Sequence, residues 1–158
     1  MPTTAAQAKV TTGTAIKTML QLATPSGRQL QPIAWGFSLD AVPGGIGVVE
    51  LLQTDVGATI TQHVAAGIQS LDPNLPPSQL LTSTTTQTGY TATVEGSITA
   101  TRVFDTVEIP ATAGAKDLTY WYQWMPDERP TVAISKFLRV RATFAAAVNM
   151  TCWIVWDE

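Results

Sequence analysis

The last two apolar runs of the chain constrain its fold more than any other feature of the sequence. Residues 136–144 read KFLRVRATF and residues 149–156 read NMTCWIVW. Each run alternates between two faces, which is typical of an antiparallel strand that buries one side. The first run puts Arg139 and Arg141 opposite its apolar face, and the second does the same with Trp153. A chain whose last residues lie within a sheet has a fixed C-terminus, so these runs predict a closed β architecture.

The composition predicts one globular domain and excludes several classes of partner. A chain of 158 residues buries enough surface to fold without a disulfide or a metal. Charged residues make up only 13% of it, the net charge is -3, and no run of Lys or Arg provides the positive surface that phosphates need. No segment has the length and apolarity of a membrane span, and no secretion signal is recognisable. We therefore expect synthesis in the cytoplasm and neither a nucleic-acid nor a membrane partner.

Turn residues divide the chain into about eight predicted strands. These cover residues 15–22, 30–39, 46–53, 90–94, 99–109, 118–124, 136–144 and 149–156. Short strands, closely spaced turns and no long helical period predict an all-β fold, a single-domain antiparallel β-sandwich. A jelly roll is the favoured topology and a closed barrel is the alternative, because periodicity does not determine strand order.

Three segments have a distinct predicted role within this domain. Residues 1–13 are small and polar, which predicts a flexible N-terminal arm ahead of a domain formed by residues 14–158. Residues 54–89 have only a weak period, and so long a connection predicts a contact loop that faces a partner. Pro32 near the start of a strand indicates either a sheet edge or a bulge.

The reactive side chains of the sequence do not form a recognisable catalytic pattern. His63 is the only histidine and Cys152 the only cysteine, so a zinc site lacks its usual ligands. Cys152 lies in a core register and is expected to be a buried structural thiol, and His63 a surface or hydrogen-bonded residue. Glu50 interrupts an apolar strand, where it either pairs with an arginine of residues 136–144 or reaches solvent. We expect no enzyme activity, metal or cofactor, and a hydrolase that uses His63 or a carboxylate pair ranks last.

Outward-facing aromatic and basic residues form the candidate site. Trp121 lies opposite Tyr120 and Tyr122 in its predicted strand, so both Trp121 and Trp153 are placed on an outer sheet face. Together with Arg139 and Arg141 they predict an interface with a partner, since Trp and Arg are enriched in such surfaces. Two alternatives remain, a carbohydrate-stacking platform and a loop from residues 54–89 that covers the tryptophans.

Four segments of the sequence resemble a known family. They begin at Arg102 (RVFDT), Trp124 (WMPDERP), Ser135 (SKFLRVR) and Ala147 (AVNMTCWIVWDE). In this pattern, which covers mainly the C-terminal third, the chain resembles the small head proteins of tailed bacteriophages, of the capsid decoration (cement) or minor capsid type. Weaker similarity is found at WGFS, from Trp35, and at VELL, from Val49.

The resemblance implies a β-sandwich or jelly-roll subunit, commonly a homotrimer, that sits on the capsid and braces adjoining capsomers. The implied partners are further copies of the chain and the major capsid protein, and the implied location is the virion surface. It supplies no catalytic or ligand-binding residues. The competing hypothesis is a carbohydrate-binding β-sandwich module that uses Trp121 or Trp153 as its stacking face.

Overall fold

Two antiparallel sheets form the molecule, which was analysed as a computed structural model that describes residues 3–6, 10–111 and 118–158. The described strands are β1 (Thr3–Ala6), β2 (Val10–Thr11), β3 (Lys17–Ala23), β4 (Gln31–Leu39), β5 (Gly47–Thr54), β6 (Thr59–Gln62), β7 (Ile68–Ser70), β8 (Gly89–Val94), β9 (Thr101–Ile109), β10 (Thr119–Gln123), β11 (Phe137–Phe144) and β12 (Asn149–Asp157). Two single-turn 3₁₀ helices, Ala65–Gly67 and Pro126–Glu128, complete the described elements. Among the described residues no helix has the length and apolarity to cross a bilayer.

The two sheets pack face to face as a single-domain β-sandwich, which confirms the predicted fold class. Sheet A has the strand order β10-β4-β12-β1-β7, with β2 also paired to β12. Sheet B has the order β6-β8-β3-β11-β5-β9. The last two strands do not pair with each other: β11 lies between β3 and β5, whereas β12 lies between β4 and β1. Residues 145–148 therefore carry the chain from the interior of one sheet to the interior of the other.

The core fills the space between the sheets with the alternate residues of each strand. β4 contributes Trp35 and Phe37, β11 contributes Phe144, and β12 contributes Trp156, all of them fully buried. Burial of each such side chain contributes about 1.5–3 kcal/mol relative to exposure. The alternation read from residues 136–144 and 149–156 is thereby confirmed, because one side of each strand faces the opposite sheet.

A half-buried, hydrogen-bonded carboxylate links the two sheets beside the apolar core. Asp105 on β9 of sheet B accepts hydrogen bonds from Trp35 Nε1 at 2.9 Å and from the Tyr120 hydroxyl at 2.7 Å, both side chains of sheet A. Burial and the hydrogen bond to Asp105 raise the pKa of Tyr120, so its hydroxyl stays protonated and remains a donor. This contact holds β10, an edge strand of sheet A, to β9, an edge strand of sheet B.

The N-terminal residues belong to sheet A over the part of them that the structure describes. Thr3–Ala6 pairs with β12 on one side and β7 on the other, and Val10–Thr11 pairs with the start of β12. The predicted arm over residues 1–13 is therefore wrong for these two segments, while residues 1–2 and 7–9 lie outside the described residues. Pairing of this kind uses backbone groups, so a small, polar composition does not oppose it.

Pro32 lies at a bulge in the interior of sheet A. β4 has β10 on one side and β12 on the other, so the predicted alternative of an edge strand is wrong. The register with β12 shifts between Val155, which pairs with Ala34, and Trp156, which pairs with Pro32. A bulge accommodates the missing N–H of proline, and the second predicted alternative is confirmed.

Candidate interaction surface on the outer face of sheet A

The two outward tryptophans lie in one row across sheet A. Trp121 on β10 pairs with Gly36 on β4, Gly36 pairs with Trp153 on β12, and Trp153 pairs with Ala6 on β1. Because paired strands are about 4.8 Å apart, the backbones of Trp121 and Trp153 are separated by roughly 10 Å. The prediction that both face outward is confirmed by their opposition to the core residues of β10 and β12.

Gly36 lies between the two tryptophans in this row, and because it has no side chain the Trp153 ring can lie against the sheet above it. A Cβ atom added at this glycine would be 2.5 Å from Trp153 Cζ2 and 2.5 Å from the Tyr120 carbonyl oxygen. These distances are far shorter than any van der Waals contact, so a larger residue would displace the indole or separate the strands. Gly36 thus positions Trp153, which is half-buried, as a flat aromatic surface.

Apolar groups are strongly exposed at the β10 end of the row. Trp121 has 64% of its surface exposed, Tyr122 has 40%, and Met125, just beyond the strand, has 70%. Trp121 is on the outer face of the strand, whereas Tyr122 is on the side that pairs in register with the core residue Trp35. A large exposed apolar side chain on an outer sheet face, such as Trp121, typically marks a contact site. Neither Tyr122 nor Met125 was predicted to be exposed: Tyr122 was placed on the face opposite Trp121, and Met125 follows the aromatic run of residues 120–124.

The rest of the outer face is uncharged where β10, β4 and β12 lie side by side, between the row of Thr119 and the row of Gln123. Asp157, which pairs with Gln31, lies beyond the second of these rows. The outward side chains from the first row to the second, besides the two tryptophans and Gly36, are Ala34, Ser38, Thr119, Gln123, Thr151 and Val155. These residues are small, hydroxylated or amide-bearing, so the face can form hydrogen bonds and apolar contacts but exerts little electrostatic steering. We refer to this surface, with Trp121, Gly36 and Trp153, as the neutral face.

Arg139 does not belong to this surface, and its prediction as an exposed interface residue is wrong. It lies on β11, on the outer side of sheet B, where its side chain is fully buried. The guanidinium forms an ion pair with Glu95 and donates to Thr18 Oγ1 at 2.9 Å from Nε, and to the Val56 carbonyl at 3.3 Å. The backbone N–H of Thr18 also donates to Glu95, at 2.5 Å. Residues around positions 56 and 95 therefore cover an arginine whose register is outward.

Burial has the expected electrostatic effect on this arginine. It lowers the pKa of Arg139 to about 10, while the nearby Glu95 charge acts in the opposite direction. The group remains protonated at neutral pH and needs its acidic partner. A covering loop was one predicted alternative for the tryptophans. In the structure, segments distant in sequence cover Arg139 instead.

Arg141 also lies on sheet B, away from the tryptophans. It is opposite Glu50 in the pairing of β11 with β5, and its guanidinium is 3.1 Å from the Glu50 carboxylate. Both side chains are largely covered, with 14% and 25% exposed. Of the two alternatives predicted for Glu50, pairing with an arginine and reaching solvent, the first is therefore confirmed. The four predicted site residues are consequently divided between the two sheets, with Trp121 and Trp153 on the outer face of sheet A and both arginines on sheet B.

The remaining candidate side chains are enclosed. His63 is 8% exposed and lies 5.1 Å from the Tyr90 ring, and its Nε2 atom has no hydrogen-bond partner in the described part of the chain. Burial lowers the pKa of His63. Cys152 is buried, as predicted, and burial raises the pKa of its thiol. Within residues 10–111 and 118–158 no three His, Cys, Asp or Glu residues are grouped so that they could hold a metal ion.

Comparison of the sequence with known protein families and with curated proteins finds no match to either.

Proposed function

We propose that the chain is a non-enzymatic structural protein of a virion, a capsid decoration subunit that associates with itself and binds the outer surface of the capsid shell. The observation that carries the proposal is the neutral face, with its exposed Trp121 and its Trp153 ring held flat by Gly36. A soluble domain seldom leaves such a surface in water unless it contacts another molecule.

The strand order supports the jelly-roll topology favoured by the sequence. Eight strands form two sets of four, β1-β12-β4-β10 in sheet A and β3-β11-β5-β9 in sheet B. In chain order these correspond to the eight strands of a jelly roll, and β6, β7 and β8 extend the two sheets. This topology recurs in viral capsid and lectin domains. A fold shared by many functions supports the proposal only by analogy.

The charge pattern favours a flat protein surface as the partner. The neutral face lacks the arginines that the sequence had suggested for it, because Arg139 and Arg141 lie on sheet B. Binding through apolar and hydroxyl contacts depends little on ionic strength, in contrast to binding through charged groups. The resemblance to decoration proteins supplies the identity of the partner, the major capsid protein, and a trimeric assembly.

Co-sedimentation with empty capsid shells tests this function. The shells are assembled from the major capsid protein encoded in the same genome, and the wild-type chain is expected to sediment with them at low and at high salt. Thr151→Glu places a charge on the neutral face and should reduce binding at least tenfold. The matched control is Thr143→Glu, an equally half-buried threonine on the outer side of sheet B, which should bind like the wild type. A chain that never sediments with shells, or equal binding by both variants, would refute the proposal.

A carbohydrate ligand is the second candidate, favoured by the geometry of Trp153. Its indole lies flat beside the polar side chains of Ser38 and Thr151, which flank it in the neighbouring row. A flat aromatic ring can stack on the apolar face of a sugar while hydroxyl groups bind its edge. Titration with neutral oligosaccharides would then change tryptophan fluorescence in the wild type but not in Trp153→Ala. Unchanged fluorescence with every sugar rejects this candidate and leaves the capsid proposal intact.

A further inference from the structure

The edges of the two sheets differ in how they are protected against pairing. Among the described residues the edge strands are β10 and β7 in sheet A, and β6 and β9 in sheet B. An edge strand presents unpaired N–H and C=O groups that can pair with another chain, and soluble proteins usually block them with charges, bulges or short strands.

Three of these edges carry such protection. β7 has only three residues. The pairing of β6 with β8 shifts register twice, on either side of Ile60. β9 is long but carries three charged residues, Arg102, Asp105 and Glu108.

β10 is the unprotected edge. It pairs with β4 in unbroken register over five residues and has no charged side chain between Thr119 and Gln123. Trp121 and Tyr122 are both exposed there. By the usual criteria this is an edge suited to pairing with another strand.

The hydrogen bonds of β10 show which backbone groups are available. At its two ends Leu39 N donates to the Leu118 carbonyl at 2.7 Å, and Trp124 N donates to the Ile33 carbonyl at 3.0 Å. Backbone groups alternate in direction along a strand, so the even-numbered residues from 118 to 124 face β4. The N–H and C=O groups of Thr119, Trp121 and Gln123 therefore point to the open edge.

We infer that β10 pairs with β10 of a second copy, antiparallel, around a two-fold axis at Trp121. The strand reads TYWYQ, which is nearly the same in both directions around Trp121. An isologous contact needs this self-complementarity, because each residue must fit its counterpart under the two-fold rotation. Trp121 would face Trp121 of the second copy, and Tyr120 would face Tyr122.

The size of this contact indicates a weak but specific dimer. The pairing forms roughly six backbone hydrogen bonds, two of them between the tryptophans. Each exposed Trp121 and Tyr122 would lose only the part of its surface that lies beside the new strand, so the contact removes at most roughly 1,000 Å² from water, near the lower limit for a specific interface. The outer faces of both A sheets would then form one continuous neutral face.

The inference goes beyond the proposed function, because edge pairing does not depend on a capsid. Its two-fold symmetry also differs from that of the trimer which the resemblance implies. A trimer requires a separate contact, and a particle with both contacts would be a hexamer.

Sedimentation velocity of the purified chain, without capsids, tests the pairing. The wild type is expected to approach twice the chain mass of 16.9 kDa as its concentration rises, or to form another even-numbered assembly. Gln123→Pro removes an N–H that faces the open edge and leaves the hydrogen bonds to β4 in place. Trp121→Lys introduces a charge on an exposed side chain. Both variants should halve the particle size, while Val103→Lys on the β9 edge should match the wild type.

Cysteine cross-linking reports the geometry directly. Directly opposed, hydrogen-bonded residues have Cα atoms about 5.5 Å apart, within the range that a disulfide spans. Oxidation should link Trp121→Cys into a covalent dimer and leave Val103→Cys unlinked. Variants are compared only if their circular dichroism matches that of the wild type. A wild type that stays monomeric at all concentrations, or an assembly unchanged by both Gln123→Pro and Trp121→Lys, overturns the inference.

Discussion

Removing the acidic partner of Arg139 should cost far more stability than breaking the other ion pair of sheet B. The substitution is Glu95→Gln, which keeps the size of the side chain and removes its charge. Arg139 would keep its hydrogen bonds to Thr18 and to backbone carbonyls, but its positive charge would remain fully buried without a counter-charge.

The size of the effect follows from the burial of the two partners. Loss of one member of a fully buried pair costs about 3–5 kcal/mol, because an uncompensated charge is left inside the protein. Glu95 is 26% exposed, so water reaches its end of the pair and we expect about 2–3 kcal/mol. The matched control is Glu50→Gln, because its partner Arg141 retains 14% exposure and can reach solvent. There the expected loss is about 1 kcal/mol or less.

Urea unfolding, followed by circular dichroism, measures both losses as changes in midpoint at constant slope. The double variant Glu95→Gln, Arg139→Met should recover part of the stability, since no buried charge remains. Equal losses for Glu95→Gln and Glu50→Gln would refute the reasoning, because burial would then not determine the cost. The same holds if the double variant is less stable than Glu95→Gln alone.

Three further predictions concern single side chains. Gly36→Ala should lower the free energy of unfolding by about 1–3 kcal/mol, since its Cβ would collide with Trp153 and with the adjacent strand; Gly27→Ala, with nothing within 4 Å, is the control and should lose less than about 0.5 kcal/mol in the same urea assay. Burial lowers the pKa of His63 below 6.5, so the unfolded chain binds the proton more readily than the folded chain. The free energy of unfolding should therefore be full above pH 6.5 and fall as the pH drops below it. Urea midpoints measured across this range should show a weaker pH dependence in His63→Gln than in the wild type, and an unchanged dependence contradicts the assignment. The Cys152 thiol should react with a disulfide reagent only after unfolding, because it is buried and its thiolate is disfavoured; rapid reaction of the folded chain would contradict this.

The interior of the sandwich was largely predictable from the sequence. Side chains of a strand alternate between its two faces whatever the strand pairs with. The buried positions within residues 136–144 and 149–156 could therefore be predicted from the alternation alone. The eight predicted strands all exist, with bounds that differ by a few residues. The strands missed were those whose pairing depends on the backbone, such as Thr3–Ala6 and Val10–Thr11, or which lie in the weakly periodic connection, such as Ile68–Ser70.

The candidate site was only half predictable, and the reason is visible in Arg139 and Trp121. Sequence alone determined that both point away from the core of the sandwich, because that follows from a local period of two. Whether an outward side chain reaches solvent is decided by segments distant in sequence. Glu95 and Val56 cover Arg139 from positions 44 and 83 residues away, whereas Trp121 stays open at an edge. Only the tertiary structure assigned the last two strands to different sheets, and thereby separated the arginines from the tryptophans.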